Sequence, residues 1–401
     1  MNATLPLAGI RVVDITTVML GPYATQMLGD YGADIIKVEA PGGDSTRKTG
    51  PQKEPGMAAA FIGSNRSKRS IVLDLKAATA REALLKLADG ADVLVYSMRP
   101  QKMAVLGLGP EVLRARNPRL IVVSAHGFDE RGPYAGRPAY DDIIQGLSGL
   151  ASLSELQGRE PSYIPTVIAD KTCALFVAQA VLMALVARGR TGQGAHVEVP
   201  MMEAMVNFTL VEHFYGAHFR PPLSPPGYPR LTTPARRPYR TLDGYVCVLP
   251  YSDRHWKDFF AHCGRTDLQS DPRFAGQSAR TDNIDALYSI VAQVIAGGST
   301  VHWLAVFEKL DIPSARLNRL ADLESDPHLA ESKYFISLAD PLMGDLVMPG
   351  PPIRFDGSLP DVGLPPRLGQ HTVQILEEAG LDRTAIDQLL SSGAARQHST
   401  T

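Results

Sequence analysis

Short apolar, β-branched runs alternate with amphipathic stretches through the first third of the chain. Residues 10–16 (IRVVDIT) and 33–39 (ADIIKVE) have the length and the Val/Ile content of buried strands. Between them a Gly21-Pro22 turn leads into a helical stretch at 23–30, which Gly32 ends. The pattern repeats, with a helix at 80–88 and strands at 92–96 and 120–125. Strands alternating with helices predict an α/β protein with a parallel, doubly wound sheet.

The middle of the chain is more helical. A stretch at 141–153 is followed by 171–187, where Ala, Leu, Val and Met run almost unbroken, the pattern of a helix buried on most sides. Residues 189–194 (GRTGQG) end it; a strand at 196–199 and an amphipathic helix at 201–219, opened by Pro200, come next. From 220 to 238 the chain is rich in proline and holds no acid, which predicts a loop. Beyond it lies a smaller α+β unit, with a strand at 244–249 and helices at 253–262, 283–296 and 300–310. The tail has a short strand (IRF) at 353–355 and helices at 373–379 and 384–390, and its last residues (RQHSTT) read as disordered. These boundaries predict a large domain over 1–224, a small domain over 225–330, and a return to the large domain over 331–401.

Composition narrows the class. A chain of 401 residues is too long for one ordinary core. The net charge of −2 gives no broad attraction to nucleic acid or an anionic membrane, so neither is expected as a partner. The first residues lack the charged start and apolar run of a signal peptide. The apolar run at 173–187, which includes Gln179, falls short of a bilayer span, and a cytoplasmic protein is expected. Cys173, Cys247 and Cys263 show no CxxC spacing and the ten histidines no HExxH, so neither disulfide nor metal site is expected. His213 and His218 read as surface or packing residues.

Candidate chemistry is sparse. Glu39 closes the second strand about where a dinucleotide-binding fold keeps its ribose-binding acid. Yet the segment after the first strand, TTVMLGPYATQMLG, has bulky residues where a pyrophosphate needs close backbone approach, which argues against that reading. Residues 65–76 (NRSKRSIVLDLK) hold four cations, and Arg99 and Lys102 follow; such groups form either a solvated charged face or a phosphate clamp at strand ends. Asp170 is a lone acid directly before the apolar helix. It is either a side-chain cap or a carboxylate that the helix start holds ionised and aimed, and the two readings can coexist. His126 (SAHGFD) follows a strand near the expected cleft, and Cys173, one turn past Asp170, reads as a small buried hydrophobe. Arg230, Arg236, Arg237 and Arg240 stand in the acid-free loop as solvated groups or as a carboxylate clamp.

Taken in order, several segments resemble one family. The opening LAGIRVVDITTVMLGPYATQMLGDYGADIIKVEAPGGDSTR carries a Gly-Pro turn, a Gly-Ala-Asp second strand and Gly-Asp-x-x-Arg. NRSKRSIVLDLK, ADVLVYSMRPQKMAVLGLG, NPRLIVVSAHGF, Gly132-Pro133-Tyr134, Tyr140-Asp141, IADKTCALFVAQAVLMALVARGRTGQGAHVEV, DGYVCVLPYSDRHW and PPRLGQHTVQIL continue the match. Together they resemble the class III CoA-transferases, which include formyl-CoA and carnitine CoA-transferases and the α-methylacyl-CoA racemases.

The resemblance implies a Rossmann-like large domain built from both chain ends, an inserted small domain, and two ring-like subunits interlocked as a homodimer. It implies transfer of coenzyme A from an acyl-CoA donor to a free carboxylic acid, with no prosthetic group. Asp170 would be the nucleophile, carrying first an acyl anhydride and then a CoA thioester. CoA contacts would come from Val18, Met19 and Leu20; from Leu73, Asp74, Leu75 and Lys76; from Ser97, Met98, Arg99 and Lys102; and from Tyr140 and Asp141. Arg230, Arg236 or Arg237 would bind the acid, which these arginines suggest to be a dicarboxylate. The chain departs from some relatives, with Ala40 and Val105 where they carry arginines and Ser97 where asparagine is usual. A racemase needs a histidine base in a Gly-His-Asp triplet, where this chain has Ala139-Tyr140-Asp141. Tyrosine, with its high pKa, is a poor substitute at neutral pH. A non-catalytic CoA-binding protein would keep the cleft without needing Asp170.

Overall fold

The computed structural model describes residues 5–398, which form two compact units. The larger comprises the chain up to Ser148, Ile164–Asn207, and everything from Glu331 onward; the smaller comprises Gly149–Tyr163 and Phe208–Ala330.

In the larger unit, β1 (Arg11–Ile15), β2 (Asp34–Glu39), β3 (Lys68–Leu73), β4 (Val93–Tyr96), β5 (Ile121–His126) and β6 (His196–Pro200) run parallel. All four residues of β4 and all six of β5 are buried. Central strands of a parallel sheet are covered on both faces, which is why they read as continuous apolar runs. The order across the sheet is β3-β2-β1-β4-β5-β6, so the direction of winding reverses between β1 and β4.

In the smaller unit, β7 (Tyr239–Arg240), β8 (Tyr245–Val248) and β9 (Ser314–Arg316) make a three-stranded antiparallel sheet. Its core is aromatic, with Trp256, Phe259, Trp303 and Phe307 packed among the helices Asp253–His262, Ile284–Ile295 and Thr300–Lys309. The unit begins earlier than the expected residue 225 and includes 149–163. The reason is local: Gln157 Nε2 bonds the Leu231 carbonyl, and Leu156 shares a cavity with Pro229 and Ile284.

The tail then rejoins the larger unit. An antiparallel hairpin of β10 (Phe335–Asp340) and β11 (Gly344–Pro349) was not foreseen, whereas the expected strand at 353–355 is only a single bridge, Phe355 to Ser358. The end was expected to be disordered. Instead β12 (Ala395–Arg396) pairs antiparallel with β3 and completes a seven-stranded sheet made from both ends of the chain. Ser399 to Thr401 lie outside the described residues.

Three expectations about helices need correction. The helix expected at 201–219 ends at His213, with a 3-10 helix at Tyr215–His218. The stretch at 141–153 breaks at Gly149, in the left-handed region at φ 80°, into an α-helix Asp141–Leu147 and a 3-10 helix Ala151–Gln157. The helix at 171–187 starts earlier and runs Ile168–Thr191, where Gly192, also left-handed, donates its N–H to the Arg188 carbonyl. By length and composition alone it could cross a membrane, and half of its apolar window is buried. It buries Cys173, Ala174, Val177, Val181 and Ala184 along one stripe. The opposite stripe, with Leu175, Met183 and Val186 at 56%, 59% and 58% exposure, stays open. The helix is therefore covered on one side, not on most sides.

A buried ionic network lies beneath the sheet's carboxyl ends. Lys68 Nζ meets Asp14 at 3.1 Å and Lys37 Nζ meets Asp44 at 3.0 Å, with all four side chains solvent-free. Arg47 Nη2 meets Glu39 at 2.7 Å, and Ser70 donates to the same carboxylate, so Glu39 is a structural partner and not a ribose ligand. Arg66 pairs with Asp30, and Arg69 with Asp34 and Glu378. The 65–76 block is thus neither a solvated face nor a phosphate clamp, except at the exposed Lys76.

Candidate active site

A cleft of about 390 Å³ opens at the carboxyl ends of β1, β4 and β5, where the strand order reverses. Doubly wound sheets leave a crevice there because neighbouring connections depart to opposite faces. Its walls are residues 17–20 after β1, 97–99 and Lys102 after β4, 125–127 at the end of β5, 137–140, Asp170 and Met201.

The turn after β1 is held from below. Val18 has φ 71°, a left-handed conformation that a β-branched residue resists. Its N–H is tied to the Asp44 carboxylate at 3.2 Å, Lys37 Nζ bonds the Thr16 carbonyl at 3.2 Å, and Asp14 accepts the Thr16 N–H at 2.9 Å. A side chain on Gly21 would come within 2.2 Å of Thr16 Cβ, so the turn closes only with glycine at that position. Thr17 N–H reaches Ser97 Oγ at 3.3 Å, which joins the β1 wall to the β4 wall.

Asp170 is the third residue of helix Ile168–Thr191, and the cap position belongs to Val167, which makes no side-chain cap bond. The expected cap role is therefore absent. The Asp170 backbone N–H donates to Asp141 Oδ1 at 3.0 Å, and Gln145 Nε2 holds the other Asp141 oxygen at 2.6 Å. The Asp170 carboxylate itself has no hydrogen bond or ion pair among the described residues. Burial, with the nearby Asp141 charge adding to it, pushes the Asp170 carboxyl up to about 7. The helix start acts in the opposite sense by favouring negative charge. A carboxylate of raised basicity with free lone pairs is suited to attack on an activated carbonyl. Cys173 is not a competing nucleophile, since burial and the Asp170 and Asp141 charges push its thiol up to about 12.

Of the residues expected to hold CoA, the cleft gathers Val18, Met19, Leu20, Ser97, Met98, Arg99, Lys102 and Tyr140. Asp141 stands behind the wall, buried against Asp170. Leu73, Asp74, Leu75 and Lys76 lie at the end of β3, outside the cleft lining. Arg137 was not anticipated; it adds a third cation to Arg99 and Lys102, and its guanidinium stacks 4.5 Å from the Tyr134 ring. Its only signal in the sequence was its place three residues before Tyr140. Met201 was also missed, because a residue opening a helix carries no mark of facing a cleft. Among the described residues, no cluster of His, Cys, Asp and Glu could hold a metal ion.

In the smaller unit, a cavity of about 520 Å³ is lined by Arg230, Arg236 and Arg237 together with Tyr239, Tyr288 and Ser314. Arg230 Nε donates to Tyr288 Oη at 3.3 Å, and none of the three arginines has a carboxylate partner among the described residues.

A cleft at the switch point with one unpaired carboxylate and three cations suits an anionic acyl carrier and covalent transfer, and the comparisons with known proteins define the class. Residues 7–372 match CoA-transferase family III. The chain is 31% identical to the succinyl-CoA:glutarate CoA-transferase of Mus musculus, over 98% of this chain and 91% of that protein. It is also 31% identical to the succinyl-CoA:mesaconate CoA-transferase of Haloarcula marismortui, over 94% and 97% of the two chains. The crystal structure of Rv3272 from Mycobacterium tuberculosis superposes with a TM-score of 0.78 at 30% identity, over 92% of this chain and 98% of that one. The chain belongs to the class III CoA-transferases. It is an acyl-CoA:carboxylate CoA-transferase, and CoA thioesters are its substrates.

Proposed function

We propose that this enzyme moves CoA between carboxylic acids through covalent intermediates on Asp170. The observation that carries the reading is the Asp170 carboxylate, unpaired and raised in pKa at the wall of the cleft. Its oxygen attacks the donor thioester carbonyl, and the carbon–sulfur bond breaks to give an acyl-aspartyl anhydride and CoA thiolate. The thiolate then attacks the aspartyl carbonyl, forming an aspartyl-CoA thioester and releasing the donor acid. The acceptor carboxylate runs the two steps in reverse, so no net proton is exchanged. Arg99, Lys102 and Arg137 supply positive charge for the phosphates, with Val18, Met19 and Leu20 beside them. Lys76, Leu73, Asp74 and Leu75 extend this binding path on the same sheet edge, and Tyr140 and Asp141 border the nucleophile.

The test is borohydride trapping. Enzyme mixed with succinyl-CoA and no acceptor should accumulate thioester, and reduction should convert Asp170 alone to homoserine, seen by mass spectrometry of its tryptic peptide. Reduction at Asp141 or Asp142, or none in active enzyme, removes Asp170 from its role.

The acid substrate in this reading is a dicarboxylate, held by Arg230, Arg236 or Arg237. Its support is the cavity of arginines without a carboxylate partner among the described residues and the diacid substrates named for the mouse and Haloarcula relatives. Glutarate should exceed the monoacid of equal length in kcat/KM. Replacing the responsible arginine should cost about 1.5–3 kcal/mol for the diacid, the range of a charge-assisted hydrogen bond. Equal kcat/KM for diacid and monoacid would end this part of the reading. The reading includes a cytoplasmic location and an interlocked homodimer, the latter supported by the open apolar stripe of Leu175, Leu182, Met183 and Val186.

A further inference from the structure

Five buried side-chain N or O atoms lack a hydrogen-bond partner among the described residues, and two of them are the ring nitrogens of a single residue, His126. His126 is only 5% exposed and is the one residue of that group that lines the cleft holding Asp170. It ends β5, in register with Pro200 and one residue from Met201, itself a wall of the cleft. Two residues earlier on the same face of β5, Ser124 Oγ meets His196 Nε2 at 3.3 Å. Ser124 and His196 thus partner each other, while both ring nitrogens of His126 are left without a partner among the described residues. A buried imidazole always carries at least one N–H, and leaving it unmet is costly, so native proteins seldom do so without a use for the group.

We propose that His126 is a catalytic residue whose ring N–H hydrogen-bonds the carbonyl oxygen of the bound thioester as Asp170 attacks it. The inference rests on the reading of Asp170 as nucleophile. No proton moves: the carbonyl π electrons shift to oxygen as the Asp170–carbon bond forms, the N–H stabilises that oxyanion, and the electrons return as the carbon–sulfur bond breaks.

Neutrality of the ring is essential to this role. An imidazolium would be acidic enough to protonate Asp170 or the CoA thiolate, and each must remain a nucleophile in turn. Burial lowers the His126 pKa, and it prevails over the charges of Glu130, Glu198, Asp129 and Glu203, which act to raise it. A neutral imidazole polarising a carbonyl is an established catalytic device.

The experiment has two arms. In the first, His126→Leu removes the donor and His126→Asn keeps an N–H donor in similar space. His126→Leu should lower kcat by about 10²–10³-fold, the usual loss for one oxyanion donor, with CoA affinity within threefold of wild type. His126→Asn should recover at least tenfold of that loss. A folded His126→Leu enzyme with kcat within threefold of wild type, or with kcat and CoA affinity falling together, overturns the proposal. In the second arm, succinyl-CoA labelled with carbon-13 at the thioester carbonyl is bound to Asp170→Ala, where no attack occurs. Infrared difference spectra should show the carbonyl stretch shifted to lower frequency, and the shift should vanish in Asp170→Ala/His126→Leu. Bound succinyl-CoA with an unshifted carbonyl refutes His126 alone. Failure of succinyl-CoA to bind at all refutes both this inference and the reading of this cleft as the CoA site on which it rests.

Discussion

Asp14 and Asp170 are both carboxylates withdrawn from solvent in the same unit, and their surroundings drive them in opposite directions. Burial alone would raise the Asp14 pKa, but Lys68, Lys37 and the hydroxyls of Thr16 and Thr25 outweigh it and bring it to about 2. Asp170 has no such company: burial raises it, Asp141 raises it further, and it stands at about 7. One carboxylate has every lone pair engaged and cannot react. The other has its charge unsatisfied and its oxygens free. The contrast shows that burial does not by itself make a reactive acid; the missing counterion does.

The largest effect expected from disturbing this contrast is on activity. Asp170→Ala should lose about 10⁴-fold or more of kcat, as removal of an activated nucleophile does elsewhere, while still binding CoA. The wild-type kcat/KM should fall tenfold per pH unit below about 7, where Asp170 becomes protonated. A pH profile flat between 5 and 8 would show that Asp170 is not the titrating nucleophile.

Next in size is the structural acid. Asp14→Asn leaves Lys68 and Lys37 with less compensation in a dry site, and it should cost about 3–5 kcal/mol of stability in urea unfolding at pH 7. Because the folded Asp14 pKa is depressed, its contribution is full above about pH 4 and is lost as pH falls towards 2. A loss below 1 kcal/mol would mean that the network is not what holds the turn after β1.

The smallest effect is the most diagnostic. Asp170 has a folded pKa above its unfolded one, so the folded state binds the extra proton between about pH 4 and 7 and wild-type stability declines across that interval. Asp170→Asn should abolish that decline and be more stable than wild type by about 1–3 kcal/mol at pH 8, with little difference at pH 4. Thermal unfolding at the two pH values checks it. Lower stability than wild type at pH 8 would show that the carboxylate has partners after all.

The alternation of β1, β2, β4 and β5 was legible because Val, Ile and Leu dominate their runs, even with Asp14 inside β1 and Lys37 inside β2. β3 was not, since KRSIVL opens with two cations that advertise solvent; only the pairing of Lys68 with Asp14 makes that sequence a buried strand. The cleft residues after β1 and β4 were legible through family motifs. Much of what carries the resemblance proves to be scaffold: Asp44 and Arg47 of Gly-Asp-x-x-Arg, Arg66 and Lys68 of NRSKRS, and Arg367 of PPRLGQHT all lie in buried ion pairs. His126, at a strand end, and Arg137, in the loop that follows, were weakly signalled or missed, because a polar side chain in such a place looks the same whether it meets water or substrate.

The short strand β12 has a consequence for how the protein is made. Ala395 and Arg396 cover the outer edge of β3, and they leave the ribosome long after it. At an ordinary synthesis rate of about 5–20 residues per second, β3 waits many seconds with its backbone amides and carbonyls unclaimed. An open edge of that kind can recruit a strand from another nascent chain. Lys68 and Arg69 at its start place charge beside that edge, a feature that discourages such pairing, and in the folded protein Lys68 becomes the buried partner of Asp14.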